Sequence, residues 1–521
     1  MDTIIREAIT TRGTRMSMLA LMGVCCAVLL FWAETAKAVP RLTDDTISDA
    51  VEDELQLDDA VRSNLIDITV SEGIVTLTGS VDNLLAKERA GRIAEEVKGV
   101  RAVVNTIRVL PPILRSDKAI QKDVSDALLM DPATDNYEVS VAVKDNVVTL
   151  AGSVDSWQEK QLCKTVAMGV KGVKGIDNNI EFHYSAGRPD SEIQKEIEQA
   201  LRWDVLVDDA LVHVTVNDGI VELSGTVGSL AEKRRAISNA YLTGVNDVDA
   251  KRLEVHYWAR DPNLRGEKYR GLSDTDIRAA LKDALLYDPR VKSFKVTAEV
   301  ANGVATLRGN VDNLEAKHAA TQTARNTVGV VQVINRLKVR PQKDYDDKLL
   351  KDTIERTFTV DPIVASFELS VTVRNGIVDL FGSVGTVYEK HHAEELAARI
   401  NGVVGVNNYI VVAALSDPYP YDPYLDNWWG SSQTVEPHYR SPAVLLKTDA
   451  EIREGIKDEY YWSPFVDSED ITVRVDNGKA TLTGTVDTWV EYYAATDNAY
   501  EGGAVTVDNN LKVRNGGIGP S

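Results

Sequence analysis

Apolar and polar residues along this chain follow two different periods, and the switch between them recurs six times. Ile47, Val51 and Leu55 are spaced four apart, which puts them on one face of an amphipathic helix. Ile66, Ile68 and Val70 then alternate with polar residues, the period of a half-buried strand. Glu72-Gly73 follows as a two-residue bend. Such pairs tolerate positive φ and match the twist of the flanking strands, so they predict a hairpin. The return strand ends at Gly79, and a second helix is expected from about Asp82 to Val97. Gly99-Val100 stops that helix and leads into a last strand, Val103 to Val109.

The bend returns as Asp145-Asn146, Asp218-Gly219, Asn302-Gly303, Asn375-Gly376 and Asn477-Gly478. The second glycine returns as Gly152, Gly225, Gly309, Gly382 and Gly484. Internal self-similarity of this kind decides the fold before any single element does. The chain reads as α+β, six tandem αββαβ modules, each a small three-stranded sheet covered by two helices. The expected modules are residues 43–110, 116–183, 190–257, 273–340, 345–413 and 448–514. Gly73, Gly219, Gly303, Gly376 and Gly478 are the structural hairpin glycines. One inward position of the second helix holds a small residue throughout: Ala90, Cys163, Ala236, Ala320, Ala393 and Ala495. A module this small buries little surface and is only marginally stable alone. Pro111-Pro112, residues 187–189 and Pro341-Gln342 are short joints, whereas 257–272 and 414–447 are long. Groups of three, two and one modules, mobile relative to one another, are the expectation.

A helix-strand-strand-helix-strand unit with the asparagine-glycine hairpin, the Leu-x-Gly ending and the Gly-Val pair resembles the BON domain, named for bacterial osmotically inducible and nodulation proteins. The resemblance covers nearly all of residues 43–514 outside the joints. The sixth copy departs most: Tyr492 stands where the others have Lys87, Lys160, Lys233, Lys317 and Lys390, and Gly502-Gly503-Ala504 displaces the Gly-Val pair. The resemblance implies an exported protein of the bacterial cell envelope, associated with osmotic-stress response and phospholipid contact.

Residues 1–38 fit that expectation as a signal peptide. Arg6, Arg12 and Arg15 precede an apolar run from Met16 to Ala33, and Ala36-Lys37-Ala38 matches a small-x-small cleavage site. Periplasmic localisation follows; an uncleaved inner-membrane anchor is the competing reading of the same run. The chain has 521 residues, 58 Lys plus Arg against 79 Asp plus Glu, and a net charge of -21. That balance argues against nucleic acid as a partner.

No phosphate loop, zinc pattern or nucleophile elbow occurs, so a non-enzyme without cofactor or metal is expected. Cys163 takes the place of alanine and reads as a buried thiol. His391-His392 lacks the spacing of two ligands on one helix face. The candidate contacts for a phospholipid surface or an envelope protein fall in three places. Trp157 and Trp489 open second helices, where an aromatic tip suits a membrane interface. Lys233, Arg234 and Arg235, with Arg260, Arg265, Lys268 and Arg270 in the following joint, form the most basic neighbourhood. In the Pro-, Tyr- and Trp-rich joint 414–447, Tyr419, Tyr421, Tyr424, Trp428 and Trp429 would offer amphipathic rings. A scaffold or chaperone-like helper that binds proteins through repeated modules is the alternative function.

Overall fold

A computed structural model describes residues 42–412 and 447–514, apart from 59, 62–64, 132–133, 135–137, 183–187, 261–263, 265–267, 270, 292–295, 342, 366, 464, 467–469 and 505. Every repeat opens with a helix of 14 residues that starts on aspartate: Asp44–Leu57, Asp117–Met130, Asp190–Trp203, Asp274–Tyr287, Asp347–Val360 and Asp449–Trp462. Each buries a stripe spaced four apart, Ile47, Val51 and Leu55 in the first and Ile452, Ile456 and Tyr460 in the last. The second helices run Leu84–Glu96, Trp157–Met168, Leu230–Ala240, Leu314–Arg325, Val387–Ala398 and Trp489–Glu501. Their N-caps are Asn83, Ser156, Ser229, Asn313, Thr386 and Thr488, and each side chain accepts a backbone N–H three residues on. Ala90, Cys163, Ala236, Ala320, Ala393 and Ala495 are fully buried, so the small side chain is what lets the helix approach its sheet.

Each sheet is mixed. In the first, Ile66–Ser71 runs antiparallel to Ile74–Val81, which lies parallel to Ala102–Asn105 and Arg108–Val109. The hairpin strand that returns is therefore central, and the other two are edges. The fifth sheet breaks at Gly382, beyond which Ser383–Val384 pairs with Val411–Val412. The expected turns are present: Glu72 and Gly73 have φ of 53° and 73°, and Asn146 takes 65° in the repeat without a turn glycine. At the second glycine the restriction is steric. A Cβ on Gly79, Gly152, Gly225 or Gly484 would lie about 2 Å from a carbonyl oxygen at the start of the first strand.

One contact recurs in all six repeats that the hydrophobic pattern did not reveal. The carboxylate of the first helical residue accepts both N–H groups of the hairpin turn. Asp44 takes Glu72 and Gly73, Asp117 takes Asp145 and Asn146, and Asp190 takes Asp218 and Gly219. Asp274, Asp347 and Asp449 do the same for Asn302 and Gly303, Asn375 and Gly376, and Asn477 and Gly478, all at 2.8–3.0 Å. The turn carbonyl then accepts the N–H just before the last strand, as in Arg101 to Gly73 and Lys174 to Asn146.

The repeats do not fall into separate groups of three, two and one. The N–H of Lys98 donates to the carbonyl of Trp462, that of Lys171 to Val360, and that of Val328 to Trp203. In each case the donor precedes the glycine that follows a second helix, and the acceptor ends a first helix. Repeat one thus joins six, two joins five, and three joins four, a nested order. Second helices of repeats one and three, and of four and five, also touch. The long joints do not release their neighbours, because these contacts span them.

Replacing Asp190 with alanine leaves two turn N–H groups without their charged acceptor and is expected to cost about 1–3 kcal/mol. Asp190→Asn, which keeps one acceptor oxygen, should cost less; urea unfolding of both variants checks the order, and equal stability of Asp190→Ala and the parent chain would refute the role.

Candidate functional site

The basic neighbourhood of repeat three is committed to contacts within the chain. Lys268 is buried, and its ammonium donates to the carbonyls of Leu201 and Val207 and to Asp209. A cation there completes the C-terminal end of a helix, where carbonyls lack intrahelical partners. Arg235 pairs with buried Asp204 at 2.5 Å, Arg234 reaches Glu95 of repeat one, and Lys233 donates to the Leu253 carbonyl at 2.6 Å. Arg260 donates to the carbonyl of Ser463 in repeat six. Arg265 and Arg270 lie outside the described residues.

The two tryptophans are inter-repeat contacts and not free tips. Trp157 stacks on Tyr241 of repeat three with ring centroids 4.4 Å apart and planes within 2°. Trp489 packs against Tyr492 and Tyr493, and Arg325 of repeat four lies over it at 5.9 Å. Tyr419, Tyr421, Tyr424, Trp428 and Trp429 fall outside the described residues, as does the 1–38 segment. Cys163 is buried, and burial pushes its thiol up to about 12, so it stays protonated and inert. His391 is exposed while His392 lies 2.8 Å from buried Asp361, so the adjacent histidines diverge.

The outward face of the fifth sheet is different from the others. Phe381 and Tyr409 stack on it at 5.2 Å, flanked by Val411 and Ile377, and Tyr409 and Val411 remain 57% and 63% exposed. The register identifies what the other sheets carry at these places. Where Phe381 stands, the others have Thr78, Ala151, Ser224, Arg308 and Thr483. Opposite, where Tyr409 stands, they have Thr106, Asn179, Arg252, Arg336 and Asn510. Val411 replaces Arg108, Glu181, Glu254, Lys338 and Lys512. Ile377 alone is not distinctive, since Ile74 and Ile220 stand exposed at its place in repeats one and three, but the fifth sheet joins it to an aromatic stack and Val411, and an apolar patch of that kind marks a surface for contact.

A second feature missed by sequence reasoning lies between repeats one and six. Glu54, Glu459 and Glu501, on three helices, each offer a carboxylate oxygen within 4.8 Å of the others. Burial, then the charge of Asp497, pushes Glu501 up to about 7; burial, then Glu459 and Glu501, pushes Glu54 up. Glu54 stands 405 positions from Glu459 and 447 from Glu501, and no sequence signal marks their meeting.

The model of the BON domain matches residues 43–111, 116–183, 189–256, 273–341, 346–414 and 448–515. The chain belongs to the BON family. Its BON repeats are 29% identical over 146 residues to Osmotically-inducible protein Y of Escherichia coli (strain K12), covering 27% of this chain and 73% of that protein. They are 30% identical over 150 residues to the outer membrane lipoprotein DolP of Haemophilus influenzae, covering 28% and 76%. A solved structure of CdsD, a structural protein of the Type III secretion system of Chlamydia trachomatis, is similar at 17% identity, with 40% of this chain and 91% of that one covered and a TM-score of 0.12.

Repeat six keeps the BON geometry despite its departures. Gly503 takes a left-handed φ of 106°, as Gly99 and Gly402 do at 91° and 101°, and buried Ala504 stands for valine. The third strand of five repeats carries a further signal in Asn105, Asn178, Asn335, Asn408 and Asn509, whose amides donate to the backbone of the second helix. Repeat three has Lys251 there, and its third strand shifts register between Asp249 and Arg252. Lys268→Met should lower stability by about 2 kcal/mol, because the Val207 carbonyl and Asp209 lose the buried ammonium and the Leu201 carbonyl keeps only the N–H of Asp204; a thermal melt that does not move would return this lysine to the solvent-facing role.

Proposed function

We propose that this BON protein is an exported, non-catalytic component of the bacterial envelope that contacts phospholipid surfaces through the outward sheet of repeat five and supports envelope integrity under osmotic stress. The observation that carries the reading is the exposed Phe381–Tyr409 stack with Val411, at places where the other repeats carry polar or charged residues or Ala151, beside the exposed Ile377. Amphipathic rings beside aliphatic side chains suit the boundary between headgroups and acyl chains. The net charge of -21 favours an apolar contact over attraction to anionic lipid. The export and envelope assignments draw on residues 1–38 and on the relatives named as an osmotically inducible protein and an outer membrane lipoprotein. Among the described residues no helix is long and apolar enough to cross a membrane.

A second reading, a scaffold for envelope proteins, is favoured by the sheet edges. In each repeat the first hairpin strand and the last strand have one neighbour within the sheet, so an extended segment of a partner could add to either.

Flotation with phosphatidylcholine vesicles separates the two. The protein is expected to float at low and physiological salt alike, and the variant Phe381→Thr, Tyr409→Thr, Val411→Arg, which places the residues of repeat one on the fifth sheet, should remain at the bottom with an unchanged thermal melt. Flotation of that variant as strong as the parent's would remove the fifth sheet from the reading; failure of the parent chain to float would leave the scaffold.

A further inference from the structure

Three repeats meet around a space that none of them encloses alone. The N–H of Lys171 joins repeat two to Val360 of repeat five, and Arg89 of repeat one lies over the Tyr388 ring of repeat five at 4.7 Å. Protein cores pack without voids of molecular size, so what these modules cannot fill is left between them. A cavity of about 400 Å³ results, within the range of small-molecule sites. Leu85 of repeat one, Met130, Val166 and Met168 of repeat two, and Val360 and Leu396 of repeat five give it apolar walls. Methionine side chains are flexible and adapt to what lies against them.

The charges around these walls do not balance. Most of the lining acids are met by basic groups: Asp123 by Arg115, Asp126 by Lys122, Glu88 by Lys164 at 3.7 Å, and Asp361 by the His392 ring at 2.8 Å. Asp131 is engaged as well. Arg89 and Arg399 are held by Asp58 and Glu315, at 2.5 and 3.9 Å. Arg92 of repeat one and Arg356 of repeat five line the same cavity, and among the described residues neither forms an ion pair or a side-chain hydrogen bond. Arg92 lies near Glu95 and Glu96 of its own helix but pairs with neither. Glu395 is the lining carboxylate without such a partner among the described residues, which leaves two guanidiniums against one acid. On a chain of net charge -21, an anionic head is held only where cations are unclaimed nearby.

We propose that this cavity binds a single-chain fatty acid, its alkyl chain against the apolar walls and its carboxylate between Arg92 and Arg356. Guanidinium forks match a carboxylate two bonds at a time, and burial of the chain supplies the affinity. A chain bound there touches repeats one, two and five together, and so ties repeat one to the pair formed by two and five. The site is built of helices and is separate from the outward sheet face of repeat five, so it stands whether or not that face meets a bilayer.

The test uses the full chain, cleared of endogenous lipid on a lipophilic resin. Calorimetric titration with sodium laurate below its micelle concentration is expected to show one saturable site per chain, and the thermal midpoint should rise with laurate concentration. Dodecyltrimethylammonium, an equally long chain with the opposite head charge, should bind about tenfold more weakly. Both arginines are exposed, so Arg92→Ala/Arg356→Ala should weaken laurate binding about fivefold and leave the melt of the laurate-free chain unchanged. Ala127→Phe, which fills the cavity from the first helix of repeat two, should remove the site; the arginine pair carries the test if the filled chain does not fold. Two controls should bind laurate like the parent: Lys144→Ala/Lys338→Ala, which removes the same charge from exposed strand positions, and Phe381→Thr/Tyr409→Thr/Val411→Arg on the fifth sheet. The proposal is overturned if the parent shows no saturable site or takes the ammonium as tightly as laurate. It is overturned equally if the arginine variant or a folded Ala127→Phe chain binds like the parent, or if either control loses the site.

Discussion

The carboxylate at the start of each first helix is the constraint on which the rest of a repeat depends. It does two things with one group. As an anion in the first helical turn it sits where the helix dipole favours negative charge, and as a two-pronged acceptor it holds both N–H groups of a turn whose residues have positive φ. The turn cannot then drift relative to the helix. The turn carbonyl, fixed in consequence, receives the N–H just before the last strand. Helix, hairpin and third strand are thus tied at one corner by backbone atoms and a single side chain. Apolar packing fills the space between, and the alternation of buried residues along the strands sets the register together with the turn. Asn146, which replaces the turn glycine in repeat two, is tolerated because the same bonds from Asp117 hold its backbone in the left-handed region.

The nested pairing rests on a different kind of group. Its recurring bond runs from the N–H before a glycine to the carbonyl that ends a first helix. Helix ends carry unsatisfied carbonyls, and the left-handed glycine turns the chain so that the preceding N–H faces outward. The fold of a repeat thus leaves a helix-end carbonyl that a partner repeat can satisfy with the N–H before its glycine, as one bond in each pair does; in repeat six that N–H, on Gly502, is taken by Asn498 of its own helix. Within these pairs side chains add Lys98 over Tyr461 and the Tyr287 hydroxyl donating to Glu196, while Trp157 on Tyr241, Arg234 on Glu95, Arg325 against Trp489 and Tyr493, and Arg89 over Tyr388 tie the pairs to one another.

This division explains what could be read from the sequence. The αββαβ order was legible because helix period, strand alternation and turn chemistry are local, and six copies repeat each signal. The Asp44 to Gly73 contact stands at a constant offset in every copy, yet it is invisible to hydropathy because both partners are polar and exposed in pattern. The pairing of repeats was not legible at all, since backbone groups carry no residue signature. For the same reason Lys233, Arg234, Arg235 and Lys268 read as a basic surface: their partners, Leu253, Glu95, Asp204 and Leu201, are carbonyls or acids that only the fold brings near. The fifth sheet was legible in principle. Comparing the copies position by position sets Phe381 against Thr78 and Val411 against Arg108, but an alternating strand is apolar on average, and a search for recurrence passes over what one copy does alone.

Nesting also settles how distant repeats can meet without a prohibitive entropy of closure. Joining repeat one to repeat six directly would close a loop of several hundred residues, but loop entropy grows only with the logarithm of length, and each inner pair shortens the loop that remains. Once three is held on four, repeats two and five are tethered to one body by their joints, and once they meet, the ends are tethered in turn. Pairing from the inside outward therefore makes every later contact intramolecular at high effective concentration. The outermost pair gains least from this, because residues 414–447 separate repeats five and six by the longest joint in the array. It is also the pair whose interface buries Glu54, Glu459 and Glu501 together. The contact that chain connectivity supports least is thus also one where like charges meet, and because burial raises all three carboxyls, their protonation as pH falls relieves that repulsion.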